Sequence, residues 1–257
     1  MLHRLKFGTS NTKLAGQFTA TFSLPAGYTC PGAKDCHAWF NREEKKLHDG
    51  KHQQFRCYAA MSEAYLPSVR ASVDHNLQLL KEARTVEKMA ALIDISLPGK
   101  FYKFIRVHQN GDFFSGDYFM AWMEVARRNP TIGFYAYTKS IPTWLKYRKL
   151  IPANFALTAS LGGKFDKLVT ENGLRTARVV FHPSEAKALG LKIDKTDALA
   201  RDVNHGDFAL LIHSQGAAGS KHSEAVKVLK AEEVDFSYSA KKPAKMIAKK
   251  MPTKLKH

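Results

Sequence analysis

The chain has 257 residues, 44% of them apolar and 25% charged, which suits one large globular domain or two small ones. A collagen-like, disulfide-dense or wholly disordered protein is excluded. Its formal charge is +17, from 40 Lys and Arg against 23 Asp and Glu, so a polyanionic partner would gain from counterion release.

Residues 1 to 7 lead into the polar run Gly8-Thr9-Ser10-Asn11-Thr12 rather than an apolar one, so no secretory signal is predicted and a bacterial cytoplasm is the expected compartment. Residues 14 to 33 carry no charge. Gln17, Pro25, Gly27 and Pro31 interrupt them, and no membrane span is expected. Residues 17 to 23 alternate like a strand. The polar stretch 38 to 54 reads as an exposed excursion, and a long helical segment follows over 58 to 91, broken near Pro67 and around Arg84-Thr85.

From residue 100 onward strand and helix alternate. Strands are predicted at 101 to 108, 132 to 138, 155 to 160, 177 to 181 and 208 to 213. Helices are expected at 115 to 129, from Ser140-Ile141-Pro142, and near 164 to 171, 184 to 189 and 220 to 231. Five such repeats predict an α/β fold with a mainly parallel sheet covered by helices. The segment 237 to 257 has no apolar periodicity, so it is expected to be a disordered basic tail on a single domain over 1 to 236. Its final 17 residues hold seven lysines and no acid, and Lys241, Lys242, Lys245, Lys249 and Lys250 are the candidates for nucleic-acid contact.

The three cysteines, Cys30, Cys36 and Cys57, cluster early in the chain. In a reducing compartment an odd number suggests metal ligands or free thiols. Cys30-Pro-Gly-Ala-Lys-Asp-Cys36 sets two thiols around a Pro-Gly turn, and thiolates select zinc or iron–sulfur clusters. A structural zinc would need His37, His48 or His52 as fourth ligand. A cubane held by three cysteines would instead leave one iron open. The spacing is neither the C-x2-C of zinc ribbons nor the C-x3-C-x2-C of most radical S-adenosylmethionine enzymes.

Three segments, residues 7 to 14, residues 22 to 33 ending in Tyr28-Thr29-Cys30-Pro31-Gly32-Ala33, and Arg56-Cys57-Tyr58-Ala59, resemble the gene-product-88 family of bacteriophage proteins. So do Arg106-Val107-His108, Gly111-Asp112-Phe113-Phe114-Ser115 and Phe134-Tyr135-Ala136-Tyr137-Thr138-Lys139-Ser140. The resemblance runs from residue 7 to about 215, and is shared with phage proteins that have a radical-SAM-like partial barrel. It implies a partial or complete (β/α) barrel with a cysteine-bearing N-terminal loop region. It also implies a [4Fe-4S] cluster on Cys30, Cys36 and Cys57, and supplies no settled reaction.

Ligands of such sheets sit at the carboxyl ends of the strands. Arg106 and His108 share a face of one strand by the period of two, with Asp112 and Ser115 in the following loop. Lys139 ends the next strand, and His213 and Gln215 end the last. Together these would enclose one pocket, where they would position a substrate. Singly, Arg106 with Asp112 could be a structural ion pair, and Asp112 or Ser115 a helix cap. Two functions remain open. One is an iron–sulfur protein with redox, radical or Lewis-acid chemistry, in which S-adenosylmethionine is a possible cofactor. The other is a nucleic-acid-binding protein with a purely structural zinc or cluster.

Overall fold

The computed structural model describes residues 3–9, 11–14, 16–213 and 216–237, and of Thr12 the backbone alone. The expected tail beyond 237, its lysines Lys241, Lys242, Lys245, Lys249 and Lys250, and Gln215 lie outside the described residues.

In chain order the elements are β1 (Thr19–Ser23), β2 (Ala38–Asn41), β3 (Lys46–Asp49), α1 (Tyr58–Tyr65), α2 (Pro67–Ala83), α3 (Val86–Ser96) and β4 (Phe104–Asn110). There follow α4 (Gly116–Arg128), β5 (Gly133–Thr138), α5 (Ile141–Tyr147), β6 (Phe155–Ser160), α6 (Asp166–Glu171) and β7 (Thr176–Val180). The last are α7 (Pro183–Ala188), α8 (Ala198–Arg201), β8 (Phe208–Leu211) and α9 (Lys221–Ala231). Among the described residues no helix is long and apolar enough to cross a membrane.

Six strands form one parallel sheet in the order β1-β4-β5-β6-β7-β8, so each strand pairs with the next large-sheet strand in the chain. Crossovers of one hand, taken in serial order, place successive helices on the same side of the sheet. Strand alternation follows from that. Ile105, Val107, Phe134, Ala136, Phe155 and Leu157 face the helical layer, where they meet Ile93 of α3 and Trp122 of α4. Tyr135, Ala156, Ala177 and Phe208 face the other way and are covered by Ala200 of the short α8.

The helical layer is anchored by α4. Ser115 caps it, accepting from the Tyr118 N–H at 3.2 Å, and Tyr118, Phe119, Trp122, Val125 and Ala126 turn one continuous face inward. Trp122 is fully buried among the rings of Phe7, Phe22, Tyr118 and Phe134. Each such ring contributes about 1.5–3 kcal/mol by leaving water.

The α/β fold with a mainly parallel sheet is as expected, and of the partial or complete barrel the described residues show the open form, with β1 and β8 at the edges of the sheet. Closure around a filled interior takes about eight strands. The two strands that would have brought the count there, β2 and β3, pair with each other instead. The stretch 38 to 54 is therefore not a bare excursion. Ala38 and Phe40 alternate inward on the antiparallel hairpin, where Ala38 packs with Ala59 and Ala60 of α1.

Candidate functional site

The carboxyl ends of five sheet strands open into one cavity of about 570 Å3. The strands supply Arg106 and His108 from β4, Tyr137 from β5, Ser160 from β6, Val179 from β7 and Leu210 from β8. The N-terminal segments close over it and bring Lys13, Cys30, Cys36 and Cys57 to the same space. Of the site residues expected from sequence, Cys30, Cys36, Cys57, Arg106, His108, Asp112, Lys139 and His213 all line this cavity. Ser115 does not; it is the cap of α4.

Local backbone chemistry brings the thiols together. Thr29 folds back on Pro25, its hydroxyl donating to the Pro25 carbonyl at 2.8 Å, and a second turn closes from Ala33 N–H to the Cys30 carbonyl at 3.1 Å. Gly32 then rests on the end of β5, where a Cβ would lie 2.0 Å from the Lys139 carbonyl oxygen. The Lys164 N–H donates to the Gly32 carbonyl at 2.9 Å, and the Asp35 N–H to the Gly162 carbonyl at 2.9 Å, which ties the loop to β6 as well. The Asp35 carbonyl in turn accepts from the N–H groups of Gln54 and Phe55, so the chain returns beside Cys36 just before Cys57.

Cys57 occupies the position preceding the first turn of α1. Burial pushes its thiol up to about 12, and a neighbouring Cys36 thiolate adds to the rise, while the amides of Ala59 and Ala60 act in the opposite direction. Burial also raises the Cys30 thiol, followed by Asp112 and then by Cys57 and Cys36. All three are free thiols.

The charged groups are arranged differently from the expected Arg106–Asp112 pair. Arg106 bonds Asp197 instead, Nη1 to Oδ2 at 2.8 Å. The fully buried Asp197 carboxylate also receives Lys13 Nζ at 2.6 Å, Tyr135 OH at 3.0 Å and Tyr137 OH at 3.2 Å. Burial alone would raise its pKa, but Arg106 and Lys13 outweigh it and hold the carboxyl at about 2. Asp112 is a fastener. It accepts from Phe113 N–H at 2.7 Å, Thr138 hydroxyl at 2.6 Å and Lys139 N–H at 2.8 Å, which locks the loop after β4 to the end of β5. The Lys139 ammonium reaches across to β6, donating to Ser160 Oγ and to the carbonyls of Ser160 and Leu161 at 2.6–3.0 Å.

His108 departs from the period of two. Its φ is +69°, in the left-handed region, and the β1–β4 register shifts between Thr21 and Ser23 at this height. The ring packs on Phe113 and Tyr118, Nε2 lying 2.9 Å from the Tyr118 hydroxyl, whereas Arg106 faces Asp197 and Tyr137. Burial holds this imidazole neutral down to about pH 3, and its Nδ1 has no hydrogen-bond partner among the described residues.

Sequence reasoning missed Lys13 and Asp197. The signal for Asp197 was Asp194-Lys195-Thr196-Asp197, a turn sequence whose Asp194 carboxylate accepts from Thr196 and Ala200 N–H groups and sets up α8. The histidines offered for a zinc site are elsewhere. His37 and His48 flank Trp39 in a ring stack, and His52 is exposed; none of them lines the cavity. Among the described residues no three His, Cys, Asp or Glu are spaced for a single metal ion. A cubane places each thiolate on a different iron and spreads them more widely than one ion does.

Fold and site together define an open parallel α/β protein whose strand ends and N-terminal loops enclose a cysteine-lined cavity. The chain belongs to the gene product 88 family, which matches residues 3–229. The Gene 88 protein of Mycobacterium phage D29 is 28% identical over 172 residues, covering 63% of this chain and 70% of the phage protein. That of Mycobacterium phage L5 is 34% identical over 90 residues, covering 32% of this chain and 38% of its own length. No solved structure matches the chain, so the expected likeness to radical-SAM barrels gains no support.

Proposed function

We propose that this is an iron–sulfur protein of the infected bacterial cytoplasm, with a [4Fe-4S] cluster on Cys30, Cys36 and Cys57 and one iron open to the cavity. What carries this reading is that all three cysteines of the chain, the last of them 27 residues beyond the first, line a single cavity at the carboxyl ends of the strands. Three soft donors suit a cluster with one open iron, whereas a structural zinc would need a fourth protein ligand and none of His37, His48 and His52 lines the cavity. The amides of Ala59 and Ala60 at Cys57 are the kind of donors that tune thiolate ligands.

Such a cluster, when bound, supplies electron transfer or Lewis acidity at its open iron, and S-adenosylmethionine is one molecule that such an iron takes. The chain's own residues have separate tasks. Asp112 and Lys139 hold the loops that carry the cavity wall, and Arg106 brings its guanidinium, paired with Asp197, to the same cavity. His108 presents a neutral ring.

Protein purified without oxygen is expected to be brown, absorbing near about 400 nm, with about four iron and four sulfide per chain. Cys57→Ala should lose most of both. Colourless wild-type protein without sulfide, or a Cys57→Ala variant with full iron content, would overturn the reading.

A further inference from the structure

We infer that a second cavity, beside the cysteine-lined one, binds a small neutral polyhydroxylated molecule of monosaccharide size. The inference goes beyond the cluster reading and holds with or without a cluster.

The cavity, of about 310 Å3, lies between one side of α2, residues 6–8 and the carboxyl ends of β1 and β4. That is near the lower end of the usual range for small-molecule sites. It shares only Asn11 and Gln109 with the cysteine-lined cavity. Its walls are fixed by bonds that need no ligand. The Asn76 amide of α2 accepts from Lys6 N–H at 2.7 Å and donates to the carbonyls of Lys6 and Ser23 at 2.9 and 3.1 Å. Gly8 and Thr21 exchange two backbone hydrogen bonds of 2.8 Å, and the Asn110 carbonyl accepts from Leu24 N–H at 2.9 Å.

Within this frame the Asn110 side chain is left over. Asn110 is only 3% exposed and lines the cavity, and its side-chain amide has no hydrogen-bond partner among the described residues. Buried amides are almost always hydrogen-bonded, so this one calls for a partner inside the cavity. The hydroxyls of Ser23, Ser62 and Ser68 and the side-chain amide of Gln109 line the same space and are equally unpartnered among the described residues. Ser72 donates along its own helix, to the Ser68 carbonyl at 2.9 Å, and keeps its lone pairs for a ligand.

The chemistry of this lining selects the ligand. No carboxylate lines the cavity, so an ammonium would be buried there without a counter-ion, and its one cation, Lys6, is exposed. Hydroxyl and carboxamide side chains both donate and accept. Sugar hydroxyls do the same, so a polyol can satisfy several of these groups at once. Phe7, Val69 and Val73 complete the lining with an apolar surface for the C–H side of a sugar ring.

The test titrates the full-length protein with D-glucose, D-galactose, D-ribose and myo-inositol, by calorimetry and saturation-transfer NMR. Cyclohexanol, inorganic phosphate and propylamine are the controls. At least one polyol should bind in the millimolar range, and at least tenfold tighter than all three controls. Asn110→Leu keeps the volume and removes the amide, and should weaken that polyol at least fivefold. Ser72→Phe changes no charge and fills the cavity from the side of α2, so it should abolish binding even if Asn110→Leu fails to fold. No binding of any polyol, a control that binds as tightly, or wild-type affinity in a folded Asn110→Leu or Ser72→Phe variant would overturn the inference.

Discussion

Gly32 sets how closely the cysteine loop can approach the sheet. Nothing larger than its hydrogen fits, since an added Cβ would stand 2.0 Å from the Lys139 carbonyl oxygen and 2.6 Å from its carbon, both backbone atoms that cannot rotate away. Lys139 is itself fixed by Asp112 and by the end of β6, so the loop, not the strand end, must give. Gly32→Ala is expected to cost about 1–3 kcal/mol, the range for overpacking, and to lower the melting temperature by a few degrees per kcal/mol. The loop shift moves Cys30 and Cys36 relative to Cys57, so with the cluster proposed above iron content should fall further than stability does. Unfolding followed by circular dichroism and iron analysis check both; unchanged iron in the alanine variant would show that the loop does not need this contact.

At the scale of elements, the short α8 is pinned to the sheet by one carboxylate. Asp197 opens the helix with φ +59°, a conformation that Asn also adopts, so Asp197→Asn keeps the backbone and removes only the charge. Lys13 and Arg106 then lose the carboxylate they share, and the expected loss is about 3–5 kcal/mol, as for breaking a buried ion pair. Adding Lys13→Met should recover a good part of it, because Arg106 is then the lone charge; denaturant titration of the two variants decides, and a double variant weaker than the single would count against the shared-carboxylate account. How far these elements could be read beforehand follows from the range of the forces that make them. Residues 155 to 160 form a short, mostly apolar run that ends in turn chemistry, and the strand is found there; α4 has its cap at Ser115 and its stop at Asn129-Pro130, and runs as expected. The three cysteines suggested by chemical type that they meet, and they line one cavity. The Asp197 network was hidden, because its members lie at 13, 106, 135, 137 and 197 and meet only after the sheet has stacked in serial order. The His108 bulge was hidden for a related reason: a register shift against β1 is a property of two strands and leaves no mark on the alternation of one.

For the molecule as a whole, the buried histidines decide how it meets acid. His108 and His213 are depressed to about 3 and about 4, chiefly by burial, whereas both titrate near about 6.5 in an unfolded chain. The stability they contribute is complete above that unfolded value. As pH falls below it, the unfolded chain binds protons that the folded chain refuses, and stability is lost until the folded pKa values are passed. Asp197, depressed to about 2, adds a loss of the same sign that begins only near the ordinary carboxylate range. Asp112 and Glu63, raised by burial, gain stability as pH falls through their folded values and so oppose it. The two imidazoles act from about pH 6.5 downward, and their own share is read from the difference between the wild type and a variant that lacks one of them. Their combined slope approaches about 2 kcal/mol per pH unit, which is several degrees in melting temperature for a domain of this size. His108→Asn suits the left-handed backbone at that position and removes one titration, so its curve should fall less steeply than that of the wild type from pH 6.5 to 5. A His108→Asn curve parallel to wild type over that interval would mean that the imidazole of His108 is protonated in the folded protein, and with it that the cavity is wetter than its burial implies.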